Sequence, residues 1–476
     1  MAMRHYLRNR KTLRLSLSRF LSSSSSPVVA LRREESSVWE RRAPLNPGHV
    51  QSLVKKGVTV LVQPSTRRAY SMPEYERAGA ILTDHIEDAQ LIIGVKQCPI
   101  DRLIPDKTYV FFSHTIKAQE ENMPLLDAIL AKRIRLVDYE KIVNENGQRL
   151  VAFGQYAGIA GFINILHGLG LRLLALGHHT PFMHVACAHN YPSSSAAKAA
   201  IASVGREIQY GLIPEMLGPI IFTFTGSGNV SQGAQDVFKV LPHEYVSPNE
   251  LQDVLMNGDT RKVYGTEVRR RDHLYRVSDG TYSKPDYVAN PELYASNFAE
   301  KIAPYTTVLI NGVYWAPNTP RLITLEDCKK LQPKEFEVDT YSGVPDLPQR
   351  LLAICDISAD PNGSIQFMQS YTTIDFPFAL YNAHTQDNQW SSLSGNGIVM
   401  TSIDNLPAQL PREATDYFGS RLFPFVHELL HLDGSKSLEE QTSLSNAIKG
   451  AIIAYNGELT PQFQYIQELR KKLQNK

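Results

Sequence analysis

The sequence is poor in the features that build small disulfide-bonded or metal-stapled proteins. Its 476 residues hold four cysteines, Cys98, Cys187, Cys328 and Cys355, far apart and without any CxxC spacing. That excludes a disulfide framework and a cysteine-built zinc site, and it suits a reducing compartment. Neither sign of charge dominates. With 49 Lys and Arg against 48 Asp and Glu, no global field gathers nucleic acid or an anionic membrane. A long hydrophobic run is missing too. The most apolar stretch, AGIAGFINILHGLGLRLLALG at 157–177, is broken by Asn164, His167 and Arg172. Its glycines suit a close-packed buried helix better than a bilayer span, so no membrane segment is expected. What is present, 43% hydrophobic and 9% aromatic residues, is the make-up of a globular chain with room for two or three sizeable cores.

Acid is absent from the beginning of the chain. Residues 1–26, MAMRHYLRNRKTLRLSLSRFLSSSSS, carry six Lys or Arg and a serine run, and the first carboxylate is Glu34. Leucines among the arginines make the segment basic and amphipathic, as in a mitochondrial transit peptide, and it lacks the continuous apolar core of a secretory signal. A disordered basic tail is the plainer alternative. Fold reasoning starts near Pro27.

From there short apolar runs alternate with helical patterns. PVVALRR, VTVLVQP, LIIGVK, YVFFSH and RIRLVDYE read as strands. GHVQSLVKKG, PEYERAGA and NMPLLDAILAKR read as the helices between them. This alternation means a parallel sheet covered on both faces, a doubly wound α/β domain. A second alternating unit begins near residue 219 with PIIFTFT, a glycine turn, a helical stripe of Val230, Ala234, Val237 and Phe238, and the short strand EYV. TTVLING, LLAICDIS and GIVMTSID add further strands. Residues 257–300, polar, charged and rich in tyrosine, read as a surface insertion.

Two strands carry a basic residue at their carboxyl ends, Lys96 and His114, 18 residues apart, about one crossover. Ligands in doubly wound sheets bind beyond the carboxyl ends of the strands, so both side chains could face one crevice. A solvated lysine and a hydrogen-bonded histidine fit the spacing equally well. In the second unit Gly226-Ser227-Gly228 lies between strand and helix. The first glycine permits a tight turn, the second lets a pyrophosphate approach, and the amides of Asn229 and Val230 begin the helix. The third fingerprint position is Ser231, with Gly233 two residues on. Where NAD sites carry an acid, about twenty residues beyond the first glycine, stand Val246 and Ser247. The missing acid leaves room for a 2′-phosphate, though no arginine stands there to bind it.

Two histidine patterns compete. His427-Glu428-Leu429-Leu430-His431 has the spacing that sets two imidazoles around zinc with Glu428 as base. The same residues also fit an ordinary amphipathic helix, and no third ligand follows. His178, His179, His184 and His189 have no recognised ligand spacing. The expectation is that the protein holds no metal.

ERRAPLNP (40–47), LIIGVK (91–96), FFSHTIKAQ (111–119), AFGQYAGIAG (152–161) and SIDNLPAQLPREA (402–414) together resemble the lysine-2-oxoglutarate reductase family. This is the saccharopine-forming half of the bifunctional alpha-aminoadipic semialdehyde synthase, similar at longer range to lysine-forming saccharopine dehydrogenase and alanine dehydrogenase. The resemblance covers the chain from about Val28 onward. It implies two Rossmann-like, doubly wound parallel-sheet domains with an active-site cleft between them. One domain is 27–152 plus 411–476, and the other, holding the dinucleotide, is 153–410. The implied chemistry condenses L-lysine with 2-oxoglutarate and reduces the imine with NADPH to saccharopine, in the mitochondrial matrix.

Such a reaction moves protons at several steps. An imidazole suits this near neutrality, as does a lysine that is partly desolvated or beside another cation. The family's catalytic lysine and histidine fall on Lys96 and His114. Its carboxylate-gripping arginine falls on Arg42, a task for a planar fork. Arg149 stands where lysine-forming relatives have paired arginines, here with Gln148 as neighbour. Asp404 falls near the nicotinamide, beside the dinucleotide residues Gly226, Gly228, Asn229, Val230 and Ser247. The bifunctional enzyme continues into a glutamate-forming saccharopine dehydrogenase half, whereas this chain stops at Lys476. The expectation is a monofunctional form or an excised half, fused to or cooperating with that second enzyme, with a homo-oligomer left open. A zinc hydrolase built on His427 and His431, and a catalytically silent dinucleotide-binding regulator, are the alternatives.

Import into the matrix is expected to remove about 20–30 residues from the N-terminus. N-terminal sequencing of the mature protein checks this, and a mature chain that keeps Met1 refutes it.

Overall fold

The computed structural model describes residues 26–334 and 345–474. Residues 1–25, nearly all of the expected leader, lie outside them. By internal contacts the chain divides into two units, residues 1–152 with 411–476, and residues 153–410. Each contains one eight-stranded, mostly parallel sheet.

The first sheet is built from Val28–Leu31 (β1), Thr59–Val62 (β2), Ile81–Leu82 (β3), Leu91–Ile93 (β4), Thr108–Phe111 (β5) and Arg135–Asp138 (β6). Every residue of β1, β4, β5 and β6 is buried, as a parallel sheet covered on both faces requires. The spatial order is β6-β5-β4-β1-β2-β3, all parallel. The chain winds from β1 outward to β3, then returns to the other side of β1 with β4. The topological switch point therefore lies between β1 and β4. Two strands from the end of the chain, Ile452–Tyr455 and Glu458–Leu459, extend the sheet antiparallel beyond β6.

The C-terminal helix Pro411–Leu430 is part of this unit, and it fixes the loop after β1. The Ala43 amide donates to Thr415 Oγ1 at 3.0 Å, and Asn46 Nδ2 to Asp416 Oδ1 at 2.7 Å. Gly419 makes room for the loop, since a Cβ there would lie 2.8 Å from the His49 ring. Asn46 also accepts from the His49 amide at 2.9 Å and so caps the helix Pro47–Lys55, whose Val50 and Leu53 are buried.

The second sheet has Ile220–Thr225 (β7), His243–Tyr245 (β8) and Val263–Val268 (β9). After a small antiparallel pair, Leu274–Arg276 (β10) and Tyr294–Ser296 (β11), come Val308–Asn311 (β12), Ala353–Asp356 (β13), Ala379–Asn382 (β14), Asp387–Gln389 (β15) and Ile398–Thr401 (β16). Its order is β15-β14-β16-β13-β12-β7-β9-β8, parallel from β8 to β16 and antiparallel at β14 and β15.

One expectation needs correction here. Residues 257–300 are not wholly a surface insertion, because β9 is an interior strand paired along its full length with β7 and mostly buried. Its sequence, VYGTEV, hides this through a mid-strand glycine, a glutamate and flanking charges. Gly265 is needed, since a Cβ there would lie 2.6 Å from the Phe238 ring. Only the following stretch has a core of its own, with Leu274, Tyr287 and Tyr294 packed together against Tyr282.

The apolar helix Gly154–Ala175 is long and apolar enough to cross a membrane, but 78% of its most apolar window is buried inside this unit. Its Phe162 stacks on Phe224, 5.8 Å between centroids, and leans on Phe222 and Phe238. Glycines let it lie directly against the helix Asn229–Phe238. A Cβ on Gly158 would collide with the Val230 carbonyl oxygen, and one on Gly233 with that of Gln155.

Gly158→Ala is therefore expected to destabilise the fold. The gain in helix propensity of about 1 kcal/mol meets an overpacking cost of about 1–3 kcal/mol, and the obstructing backbone cannot rotate away. Denaturant unfolding checks this, and an unchanged or higher midpoint contradicts the close-packing account.

Candidate active site

In the first unit the carboxyl ends of β1, β4, β5 and β6 form a dense polar edge. The Glu34 carboxylate, beyond β1, accepts the amides of Val95 at 2.7 Å and Lys96 at 3.0 Å. It also accepts Arg32 Nη2 at 3.1 Å. Arg32 Nη2 bonds the Lys96 carbonyl at 2.8 Å as well. A side chain at the glycine of LIIGVK would crowd this arrangement, because a Cβ on Gly94 would lie 3.1 Å from Arg32 Nε and 3.2 Å from Glu34 Oε1. Burial pushes the Glu34 carboxyl above its usual range, with Arg32 opposing.

Arg42 is buried, and its Nε and Nη2 fork onto Glu40 at 2.8 and 2.6 Å. Burial alone would raise the Glu40 carboxyl. The charge and hydrogen bonds of Arg42, joined by the charge of Lys96, bring it below its usual range. Lys96, half-buried, thus belongs to one electrostatic cluster with Glu34, Glu40 and Arg42. The neighbouring Arg41 is exposed and bonds the Arg67 carbonyl.

His114 follows β5, the strand paired with β4. Its backbone is left-handed, with φ +54°, an uncommon conformation for a residue with a side chain. The residues on either side hold it there. Ser113 and Thr115 are fully buried and share a hydroxyl contact of 2.8 Å, and the Ser113 amide and hydroxyl both donate to the buried Asp138. The imidazole comes out beside Glu140, Nδ1 to Oε1 3.4 Å, and the other Glu140 oxygen takes Arg149 Nη2 at 3.1 Å. Burial would raise the Glu140 carboxyl, but His114, Arg149 and Lys117 together lower it.

The first unit therefore brings Lys96, His114, Arg42 and Arg149 to one sheet edge, at and beside the switch point. Three carboxylates that sequence reasoning passed over, Glu34, Glu40 and Glu140, hold them. Glu40 could have been noticed two residues before Arg42 in the ERRAP motif. Glu140, reached through a different strand, gave no signal.

In the second unit Gly226 has φ +77° at the end of β7, where a side chain would be strained. Gly228 caps the helix Asn229–Phe238 with extended backbone, and nothing lies within 4 Å of where its Cβ would stand. Neither its φ nor its neighbours demand a glycine there, so the open space favours approach from outside. The helix-packing task falls to Gly233, while Ser231 is buried and bonded to Gln235 Nε2 at 3.0 Å. Along the same edge, Thr225 Oγ1 bonds Asn311 Oδ1, and Asn311 Nδ2 bonds Asp356 Oδ1, both at 2.8 Å. Burial pushes the Asp356 carboxyl up to about 6. Asp356 Oδ2, Thr401 Oγ1 and Ser402 Oγ are buried without partners. A left-handed turn, an open glycine, a ten-residue helix start and orphaned polar atoms fit a dinucleotide well. Asp404 is exposed just after β16. Ser247 follows the edge strand β8, and its hydroxyl donates to Glu250 at 2.7 Å.

The zinc alternative is set aside. His431 Nδ1 is bonded to the His427 carbonyl at 2.7 Å, and Glu428 accepts the Ser445 amide at 2.8 Å. His184 lies against Glu207, and His189 against Gln409. Among the described residues no group of three metal-ligating side chains forms.

Residues 30–160 match the alanine dehydrogenase/PNT N-terminal domain family. Over 460 residues, 96% of this chain, the sequence is 56% identical to the mitochondrial alpha-aminoadipic semialdehyde synthase of Mus musculus, of which the match takes in 49%. The chain spans about half the length of the curated relatives of that name. It is 26% identical over 410 residues to a saccharopine dehydrogenase (NAD(+), L-lysine-forming) of Candida glabrata, covering 83% of this chain and 90% of that one. A solved L-alanine dehydrogenase shares the fold, with a TM-score of 0.56 and 17% identity over 93% of this chain and 99% of that one. The chain is thus related, along nearly its whole length, to alpha-aminoadipic semialdehyde synthase and the lysine-forming saccharopine dehydrogenases, on an alanine dehydrogenase-like fold.

Proposed function

We propose that this protein is a lysine-2-oxoglutarate reductase that forms saccharopine with NADPH in the mitochondrial matrix. The observation that carries the reading is the pairing of Lys96 and His114 on neighbouring strand ends of one parallel sheet, beside a buried arginine fork. The similarity to a relative named as a lysine-forming saccharopine dehydrogenase, whose named reaction joins the same lysine and saccharopine, supports it.

The ε-amine of lysine, freed of its proton, attacks the ketone carbon of 2-oxoglutarate and forms a carbinolamine. Protonation of its hydroxyl releases water and leaves an imine. The Gly226–Val230 turn would hold a nicotinamide dinucleotide, which when bound would supply the hydride for reduction of the imine carbon. Lys96 and His114 accept and return the protons of these steps. Glu140 orients the His114 ring, and Glu34 fixes the backbone that carries Lys96. Arg42 offers its guanidinium to a substrate carboxylate, with Glu40 as the counter-charge that keeps it folded into place. Arg149 adds a second cation through Glu140. NADPH is preferred over NADH, the cofactor that the resemblance to the bifunctional synthase implies. Asp404 would stand near the nicotinamide, as the resemblance implies. The product is handed to a glutamate-forming saccharopine dehydrogenase, fused or separate.

NADPH oxidation with lysine and 2-oxoglutarate, each omitted in turn, tests the reading. Consumption that does not require both substrates overturns it.

Lys96→Met and His114→Gln should each lower kcat by about a hundredfold or more. The double variant should lose less than the product of the single losses, since the two act as one unit. Dinucleotide binding, measured directly, should survive in all three. Near-normal kcat in either single variant removes that residue from the proton transfers.

Arg42→Ala should weaken binding of one substrate by about 2–5 kcal/mol, as expected for a buried carboxylate grip. Substrate titrations that show unchanged affinity for both lysine and 2-oxoglutarate exclude Arg42 from substrate binding.

A further inference from the structure

In doubly wound dinucleotide sites, the adenosine ribose is read at the carboxyl end of the strand beside the glycine-turn strand. Usually that is the next strand in sequence, which here would be β8 with Val246 and Ser247. The sheet order is different. β9 lies between β7 and β8, so the strand beside the glycine turn is the one that comes later in the chain. The pairing runs to the very end, Thr225 against Val268, and the Gly226 amide donates to the Val268 carbonyl at 2.9 Å. The residues at the lip of the glycine turn are therefore Arg269, Arg270 and Arg271.

These three do not point alike. The guanidinium of Arg270 lies over the Tyr287 ring, 5.2 Å from its centroid. Arg269 and Arg271 instead line an open groove of about 580 Å³, with Lys239 and Gln235 on the helix after the turn and Ser247 on the far wall. Two acids stand in the same groove, and both are engaged. Glu267 Oε1 holds Arg269 Nε at 2.6 Å, and its Oε2 takes Gln235 Nε2 at 3.2 Å. Asp272 Oδ2 accepts the Arg269 amide at 2.7 Å, and its Oδ1 lies 3.7 Å from Arg271 Nε. A ribose arriving there would meet cations rather than an uncommitted carboxylate, the opposite of an NAD-type pocket.

We propose that Arg269 and Arg271, beside the glycine turn at the end of β9, bind the 2′-phosphate of an adenosine dinucleotide and so select NADPH over NADH. This deepens the cofactor reading given above and rests on it. Glu267 holds the Arg269 fork at its Nε, and Lys239 adds charge from the facing helix.

The test is calorimetric titration of the full chain with adenosine 2′,5′-bisphosphate and with 5′-AMP, which differ only in the 2′-phosphate. The bisphosphate should bind the unsubstituted protein about ten- to a hundredfold more tightly, the range expected of charge-assisted contacts. Arg269→Ala and Arg271→Ala should each shrink that ratio severalfold and together nearly abolish it, with 5′-AMP affinity unchanged as the measure of intact folding. Arg270→Ala, with its charge committed to Tyr287, should leave the ratio alone. Equal affinity of the unsubstituted protein for both compounds overturns the proposal, as does failure to bind either or a ratio that survives the double substitution. If the bisphosphate preference depends on these arginines but lysine and 2-oxoglutarate give no turnover, the activity reading fails and this one stands. If turnover occurs and the arginines leave the ratio untouched, the reverse holds.

Discussion

A buried carboxylate organises the first unit. Glu34 joins the end of β1 to the end of β4 by accepting two consecutive backbone amides and the Arg32 guanidinium. A carboxylate taken out of water persists only when its oxygens are matched by donors, and these are. The same bonds fix the backbone of Lys96, close the gap at the switch point, and leave little room for a side chain at Gly94. Around this pair the edge repeats one device, a carboxylate against a basic side chain: Glu40 for Arg42, and Glu140 for His114 and Arg149. Removing Glu40 would take from the buried Arg42 the carboxylate that its guanidinium forks onto.

His114 shows how local strain is supported by its surroundings. A left-handed histidine is costly in isolation. Here Ser113 is held in the interior against Asp138, whose carboxyl burial itself pushes above its usual range, and the buried Thr115 is held against Ser113. Between them the ring is turned outward to Glu140. The strain is thus set by packing beneath the site and not by the site itself.

The second unit depends on a different constraint, the closeness of two helices. Gly158 and Gly233 allow the helices Gly154–Ala175 and Asn229–Phe238 to touch backbone to backbone. That contact anchors the first turn of the helix that begins just after Gly228. With the helix fixed, Gly226 can take its left-handed turn while Gly228 keeps open space in front of it. Burial of the aromatic cluster of Phe162, Phe222, Phe224 and Phe238 beneath the turn keeps the support rigid.

The sequence by itself determined the elements whose signals are local. Short apolar runs between helical patterns identified β1, β2, β4, β5, β6 and β7, because a strand buried on both faces must be apolar throughout. Strand-end position marked Lys96 and His114, and the glycine turn at 226–228 announced itself through the conformations only glycine adopts readily. Motif resemblance then added Arg42, Arg149 and Asp404, which no periodicity would have found. Tertiary structure decided what depends on pairing between distant segments. It put β9 inside the sheet although its sequence is half polar, because burial there comes from β7 and Phe238 and not from its own composition. It put the end of β9 and Arg269, and not Ser247, beside the end of β7, since strand order is set by the whole sheet and not by succession along the chain. It also supplied Glu34, Glu40 and Glu140 as partners, because a carboxylate becomes a counter-ion only when folding brings a cation to it.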